Sequence, residues 1–244
     1  MLLAAIAALA GALVQSATGF GFALILSPAL FAVVDPVEAV GSLLVLGLAL
    51  SLLVLFEGGR PKHVDWRALA PMLVAALPGL AVGAIALTQL SKEALQVTVG
   101  VAVILAAGWQ LRARGQRARP RLGGPAGLAA GFASGVLTTS ISVSGPPIVL
   151  WLEARGVRPE EFRASLAASF LVLNLVGGAV LLAAEGSRAF DAGVMAPLLG
   201  AVVAGYALGA VGFRRLDRER FFTLALALVA GTGAASVAAG LGLF

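Results

Sequence analysis

Charged positions divide this chain into apolar blocks. Residues 1–34, 68–91, 122–152, 164–184, 192–213 and 221–244 contain no Asp, Glu, Lys or Arg, and 39–56 is a shorter block of the same kind. An α-helix rises 1.5 Å per residue and needs about 20 residues to cross roughly 30 Å of hydrocarbon, so the pattern predicts a series of membrane-spanning helices. Blocks 1–34 and 122–152 are too long for one straight span and short for two. Both are interrupted midway by helix-weakening residues, Thr18-Gly19-Phe20-Gly21 in the first and Ser142-Val143-Ser144-Gly145-Pro146-Pro147 in the second. Each is read as a broken helix.

Charge decides how the broken segments run. If each were a single span, Lys and Arg would divide almost evenly between the two faces. If each is a hairpin returning to its starting side, Arg60, Lys62, Arg67, the five arginines from Arg112 to Arg121, Arg155, Arg158, Arg163, Arg214, Arg215, Arg218 and Arg220 share one face, and only Lys92 and Arg188 lie opposite. Such an asymmetry is what the positive-inside rule expects. The hairpin reading therefore places 112–121 in the cytoplasm and both termini outside it.

The chain also repeats itself. Leu69-Ala70-Pro71-Met72-Leu73 returns as Met195-Ala196-Pro197-Leu198-Leu199, and Gly79, Gly83 and Glu93 meet Gly205, Gly209 and Glu219 at the same offset. Pro36, Glu38 and Ser42 correspond to Pro159, Glu161 and Ser165. The halves are 1–115 and 120–244, each a broken-helix hairpin plus three transmembrane helices. Three is odd, so the second half is inverted relative to the first. Inverted repeats with interrupted segments at matching places are a hallmark of secondary transporters, and the interruptions point to the substrate site. The expected fold class is all-α, a polytopic integral membrane protein forming one membrane domain.

Composition sharpens this picture. Of 244 residues, 60% are hydrophobic and 12% charged, against about 25% charged in a typical soluble domain. Mean hydropathy is +1.01 and the pI is near 11.0. The basic excess sits in short loops between apolar blocks, so it reports orientation rather than nucleic-acid binding. There is no cysteine, and His63 is the only histidine, so neither a thiolate metal site nor a histidine pair is available. No metal or cofactor is expected. No carboxylate interrupts the six long blocks, which leaves an intramembrane hydrolase without its acidic groups. An enzyme is not expected.

Candidate chemistry gathers at the two interruptions. A helix starting at membrane depth presents unpaired N–H groups and the positive end of its dipole, which favour an anion. Ser144 stands at the N-cap position before Pro146 and Pro147. Ser16, Thr18, Gly19 and Gly21 surround the first interruption, and Thr138, Thr139, Ser140, Ser142, Ser144 and Gly145 the second. Together they can coordinate a small oxyanion without a buried counter-charge. Asn174 lies inside an apolar span, where an amide is costly without a partner, and either faces a cavity or bonds a neighbouring helix. Gln15 stands open in the same way. The spaced glycines Gly79, Gly83, Gly205 and Gly209 are read as close helix contacts. Asp35-Pro36-Val37-Glu38 and Arg158-Pro159-Glu160-Glu161 read as helix starts in preference to gating charges.

With these motifs the chain resembles the TauE/SafE family of membrane permeases, which includes exporters of sulfite and related sulfur-containing anions. Gly19-Phe20-Gly21-Phe22 leading to Pro28, and Ser142-Val143-Ser144-Gly145-Pro146, are similar to the family's glycine-rich motif ahead of a proline in each half. Ala39-Val40-Gly41-Ser42 and Phe162-Arg163-Ala164-Ser165 approximate its Ala-Val-Gly-Thr-Ser-like helix start. Phe20, Ser142 and Ser144 depart from the glycine pattern and would reshape the pocket. The resemblance implies a permease of the cytoplasmic (inner) membrane that moves a small anion, sulfite or an organosulfonate, by alternating access. Its partners would be that anion and the lipid bilayer, with no nucleic acid and room for a homodimer. The competing reading is a non-transporting membrane anchor or regulatory subunit.

Overall fold

The computed structural model describes residues 1–57, 64–113, 124–212 and 218–243. Among these, every regular element is helical: α1 (Leu2–Thr18), α2 (Phe22–Val33), α3 (Pro36–Leu55), α4 (Trp66–Gln89), α5 (Lys92–Ala113), α6 (Gly124–Ile141), α7 (Gly145–Arg155), α8 (Pro159–Glu185), a 3₁₀ turn at Gly186–Ala189, α9 (Ala192–Gly212) and α10 (Arg218–Gly240). Five of them, α3, α4, α5, α8 and α9, are long and apolar enough to cross a membrane. The protein is a polytopic all-α membrane protein. Large apolar side chains such as Val74, Ile85, Leu105, Leu175 and Leu208 point outward, as a lipid-facing surface requires. His63 and most of the basic segment 112–121 lie outside the described residues.

Local chemistry accounts for the helix starts. Asp35 accepts a hydrogen bond from the Val37 N–H at 3.0 Å, with Pro36 in the first turn of α3 and Glu38 beside it. Asp65 does the same for the Ala68 N–H at 3.2 Å and opens α4. At α8, Pro159 and the acidic pair Glu160 and Glu161 occupy the first turn. The charges flanking these prolines begin helices, because carboxylates satisfy or complement the unpaired N–H groups there.

Both broken segments are hairpins. Leu3, Ile6, Ala7 and Ala10 of α1 line one groove with Ile25, Pro28, Ala29 and Ala32 of α2, which places the two helices side by side and antiparallel. A Cβ at Gly127, near the start of α6, would meet the Trp151 ring near the end of α7, so the second hairpin closes in the same sense. The turns are Gly19-Phe20-Gly21, with φ of 91° and 114° at the two glycines, and Ser142-Val143-Ser144. Ser142 has φ 58° and is the one described non-glycine residue in the left-handed region. Holding a Cβ there costs about 1–2 kcal/mol, a strain often kept at functional sites.

The hairpin of each half packs against the fourth helix of the other: α6 on α4 and α1 on α9. Helices α3 and α8 pair with each other, as do α5 and α10. Glycines make the hairpin contacts close. A Cβ on Gly79 or Gly83 would run into the Phe132 or Val136 carbonyl, and one on Gly131 or Gly135 into the Met72 or Ala76 carbonyl. Across α1 and α9, Gly205 faces the Leu9 carbonyl and Gly209 the Ser16 hydroxyl and Leu13 carbonyl. Small residues are needed wherever backbones come this near, and in a membrane such packing replaces the missing hydrophobic drive.

Candidate substrate site

The two turns meet. Ser27, buried in the middle of α2, donates to the Ile141 carbonyl at the end of α6 at 2.9 Å. Ser142 donates to the Val40 carbonyl of α3 at 3.4 Å. Between them lies a cavity of about 30 Å³, lined by Gln15, Phe20 to Leu24, Leu43, Gly47, Ser142 to Gly145, Phe170 and Asn174. It holds about two waters. Two larger grooves, of about 450 and 850 Å³, flank the molecule between α1, α2 and α10 and between α5, α6 and α7. Their linings are mostly apolar, with Gln110 and Arg112 at the larger groove, so they suit a lipid chain better than a small anion.

Several polar groups of the cavity have no protein partner. The side chains of Ser144 and Asn174 make no hydrogen bond to any described residue, although Ser144 is only 6% exposed. Gln15 accepts from the Phe22 N–H at 3.3 Å, which ties the start of α2 to α1 and leaves the Gln15 NH₂ unpartnered. These groups are thus free to bond a ligand or ordered water in the cavity. Asn174 owes its position to α3. A Cβ at residue 47 would lie 2.7 Å from Asn174 Nδ2, so only glycine admits the amide there.

Two helices start at this cavity, and they contribute unequally. In the first turn of α2 the N–H groups of Ala23 and Leu24 have no acceptor within their own helix. In α7 the corresponding positions are Pro146 and Pro147, which carry no N–H, so Gly145 and Ser144 supply the backbone donors. Both dipoles still point their positive ends inward. No Asp, Glu, Lys, Arg or His lines the cavity. The arrangement suits a small anion held by amide, hydroxyl and backbone donors.

Five of the residues anticipated from the sequence line this space: Gly21, Ser142, Ser144, Gly145 and Asn174. The others are engaged elsewhere. Ser16 donates to the Leu13 carbonyl at 2.9 Å and faces Gly209 of α9. Thr18 is shared between the Val14 and Phe20 carbonyls, at 2.9 and 2.6 Å, and holds the first turn together. Gly19 lies against Arg163. Thr138 and Ser140 bond back to the carbonyls of Ser134 and Val136, and Thr139 crosses to the Leu80 carbonyl at 2.6 Å. Ser144 does occupy the N-cap position of α7, but its side chain makes no cap bond and is left to the cavity. Gly47, Leu43 and Phe170 were not anticipated. They are apolar positions in long spans, and nothing in their local sequence distinguishes them from lipid-facing neighbours.

The sequence profile of the family described as Sulfite exporter TauE/SafE matches residues 3–236. The chain belongs to the TauE/SafE family. Among curated relatives, the "Probable sulfite/organosulfonate exporter TauE" of Cupriavidus necator is 33% identical over 174 residues, covering 68% of this chain and 66% of that protein. The chain thus aligns with just under two thirds of that relative's length. No solved structure matches it. The two segments that carry the resemblance, Gly19-Phe20-Gly21-Phe22 and Ser142-Val143-Ser144-Gly145-Pro146, form the two turns that enclose the cavity. Ser142 adopts a left-handed backbone conformation that glycine would hold without strain.

Proposed function

We propose that this TauE/SafE protein is a permease of the cytoplasmic membrane that moves sulfite or a small organosulfonate, binding it between the two hairpin turns. The observation that carries the reading is the convergence of unpartnered donors, from Ser144, Asn174, Gln15 and the first turns of α2 and α7, on a cavity with no carboxylate. A cation would find no counter-charge there. A pyramidal or tetrahedral oxyanion finds several donors that lipid and protein leave unused. The name and identity of the Cupriavidus necator relative support the same substrate class. The family's description as exporters supports transport as the activity.

Alternating access between two inverted repeats, 1–115 and 120–244, is the proposed mechanism. The element order supports it. Helices α2 and α3 begin at 22 and 36, and α7 and α8 at 145 and 159. The main pairings exchange with the halves: α4 on α6 with α9 on α1, α4 on α8 with α9 on α3, and α3 on α8 and α5 on α10 with themselves. Helix α2 departs from this by packing on α5 and α10. The cavity holds about two waters and is too tight for a four-heavy-atom anion with its ligands, as an empty, contracted state would be. Widening it requires the hairpins to part from the α3–α8 pair. Purified protein in liposomes tests the reading. Saturable sulfite flux, competed by a small sulfonate, is expected. Saturable flux of a cation or neutral solute, with no response to any sulfur oxyanion, would overturn it.

A further inference from the structure

We propose that Arg163 is the entry ligand for the anion, held in the empty protein as a latch by Glu57 and the end of α1. The inference rests on the transport reading above. Arg163 lies one turn into α8, and its guanidinium donates to the Ser16 carbonyl and to Glu57, the latter at 3.3 Å. Its stem covers the first turn, for a Cβ on Gly19 would come 3.1 Å from Arg163 Cγ. One cation therefore joins three elements: the carbonyl end of α1, the residues just past α3, and the start of α8. Phe20 and Gly21, the next residues of the turn, line the cavity.

Two features distinguish this cation from an ordinary surface pair. Its Nε is buried with no partner, so the guanidinium keeps an unused donor beside the turn. Its side chain and that of Glu57 are still 29% and 32% exposed, so an ion arriving from that face reaches both. The carbonyl and carboxylate that hold Arg163 are the kind of acceptors a sulfite or sulfonate group can replace, and guanidinium binds such oxygens in a two-point fork. Once Arg163 transfers to the anion, the turn is no longer pinned to α3 and α8, and the contracted cavity is free to open.

Among the described residues, no cation bonds the second turn. The position that the repeat register matches to Arg163 is Val40, which offers only its carbonyl to the Ser142 hydroxyl. The matched positions thus hold the first turn by a charge and the second by a neutral contact. This asymmetry gives the anion a charge-assisted approach at the first turn.

Kinetics of sulfite flux in proteoliposomes separate a latch from a merely structural pair. If Arg163 and Glu57 served only to hold helices, Arg163→Gln and Glu57→Gln would break the same pair and shift KM in the same direction. The latch predicts opposite shifts. Arg163→Gln raises KM by about tenfold, the loss of one charge-assisted contact, while Glu57→Gln lowers KM by freeing the cation. Arg163→Lys, which keeps the charge without the fork, falls between wild type and Arg163→Gln and carries the test if the latter does not fold. Parallel shifts, or unchanged KM in all three variants beside active wild type, overturn the latch alone. Absence of anion flux in the wild type overturns the latch together with the functional reading.

Discussion

Gly47→Ala is the sharpest probe of the cavity, because it adds one methyl group at a place where the structure leaves no room. The new Cβ would stand 2.7 Å from Asn174 Nδ2 and 3.5 Å from its Cγ, where ordinary contact begins near 3.4 Å. The backbone of α3 is fixed by its pairing with α8, so the Asn174 amide must turn away from the cavity. If that amide donates to the bound anion, its loss removes a hydrogen bond to a charged group, about 1.5–3 kcal/mol. The substrate affinity should then fall by about 10- to 100-fold. Sulfite KM in proteoliposomes measures it, and the Asn174→Ala background provides the control. There the clash has no object, so adding Gly47→Ala should change KM little, and the two effects should be strongly non-additive. Wild-type KM in Gly47→Ala, or an undiminished effect on top of Asn174→Ala, would refute the placement of this amide in the substrate site.

Two further outcomes check the architecture. Gly83→Ala drives a methyl group into the Val136 carbonyl and the Thr139 hydroxyl and should cost about 1–3 kcal/mol of stability, visible as a lower Tm in detergent, whereas Gly108→Ala, with nothing near its Cβ, should leave Tm unchanged. The orientation inferred from charge predicts that a cysteine at position 117 resists an impermeant thiol reagent on intact cells while one at the C-terminus reacts; the reverse labelling would invert the topology.

The membrane class, the all-helical fold and the two turns were legible in the chain because each rests on a local signal. Long uncharged blocks report spans, prolines beside acidic residues report helix starts, and Gly19-Phe20-Gly21 and Ser142-Val143-Ser144 fall where the helices break. The packing role of Gly79, Gly83, Gly205 and Gly209 was legible for the same reason, since one small residue per turn is itself a pattern. The division of labour among the hydroxyls was not. Ser16 and Ser144 look alike in sequence, yet one faces α9 and the other an open cavity, and that depends on which helix of the other half lies alongside. Gly47 carries its meaning only through Asn174, more than a hundred positions away. Arg163 read as one more cytoplasmic charge until the fold laid it across the end of α1. Helix composition is set residue by residue, whereas a binding site between helices is set by the relative placement of segments that share no local sequence.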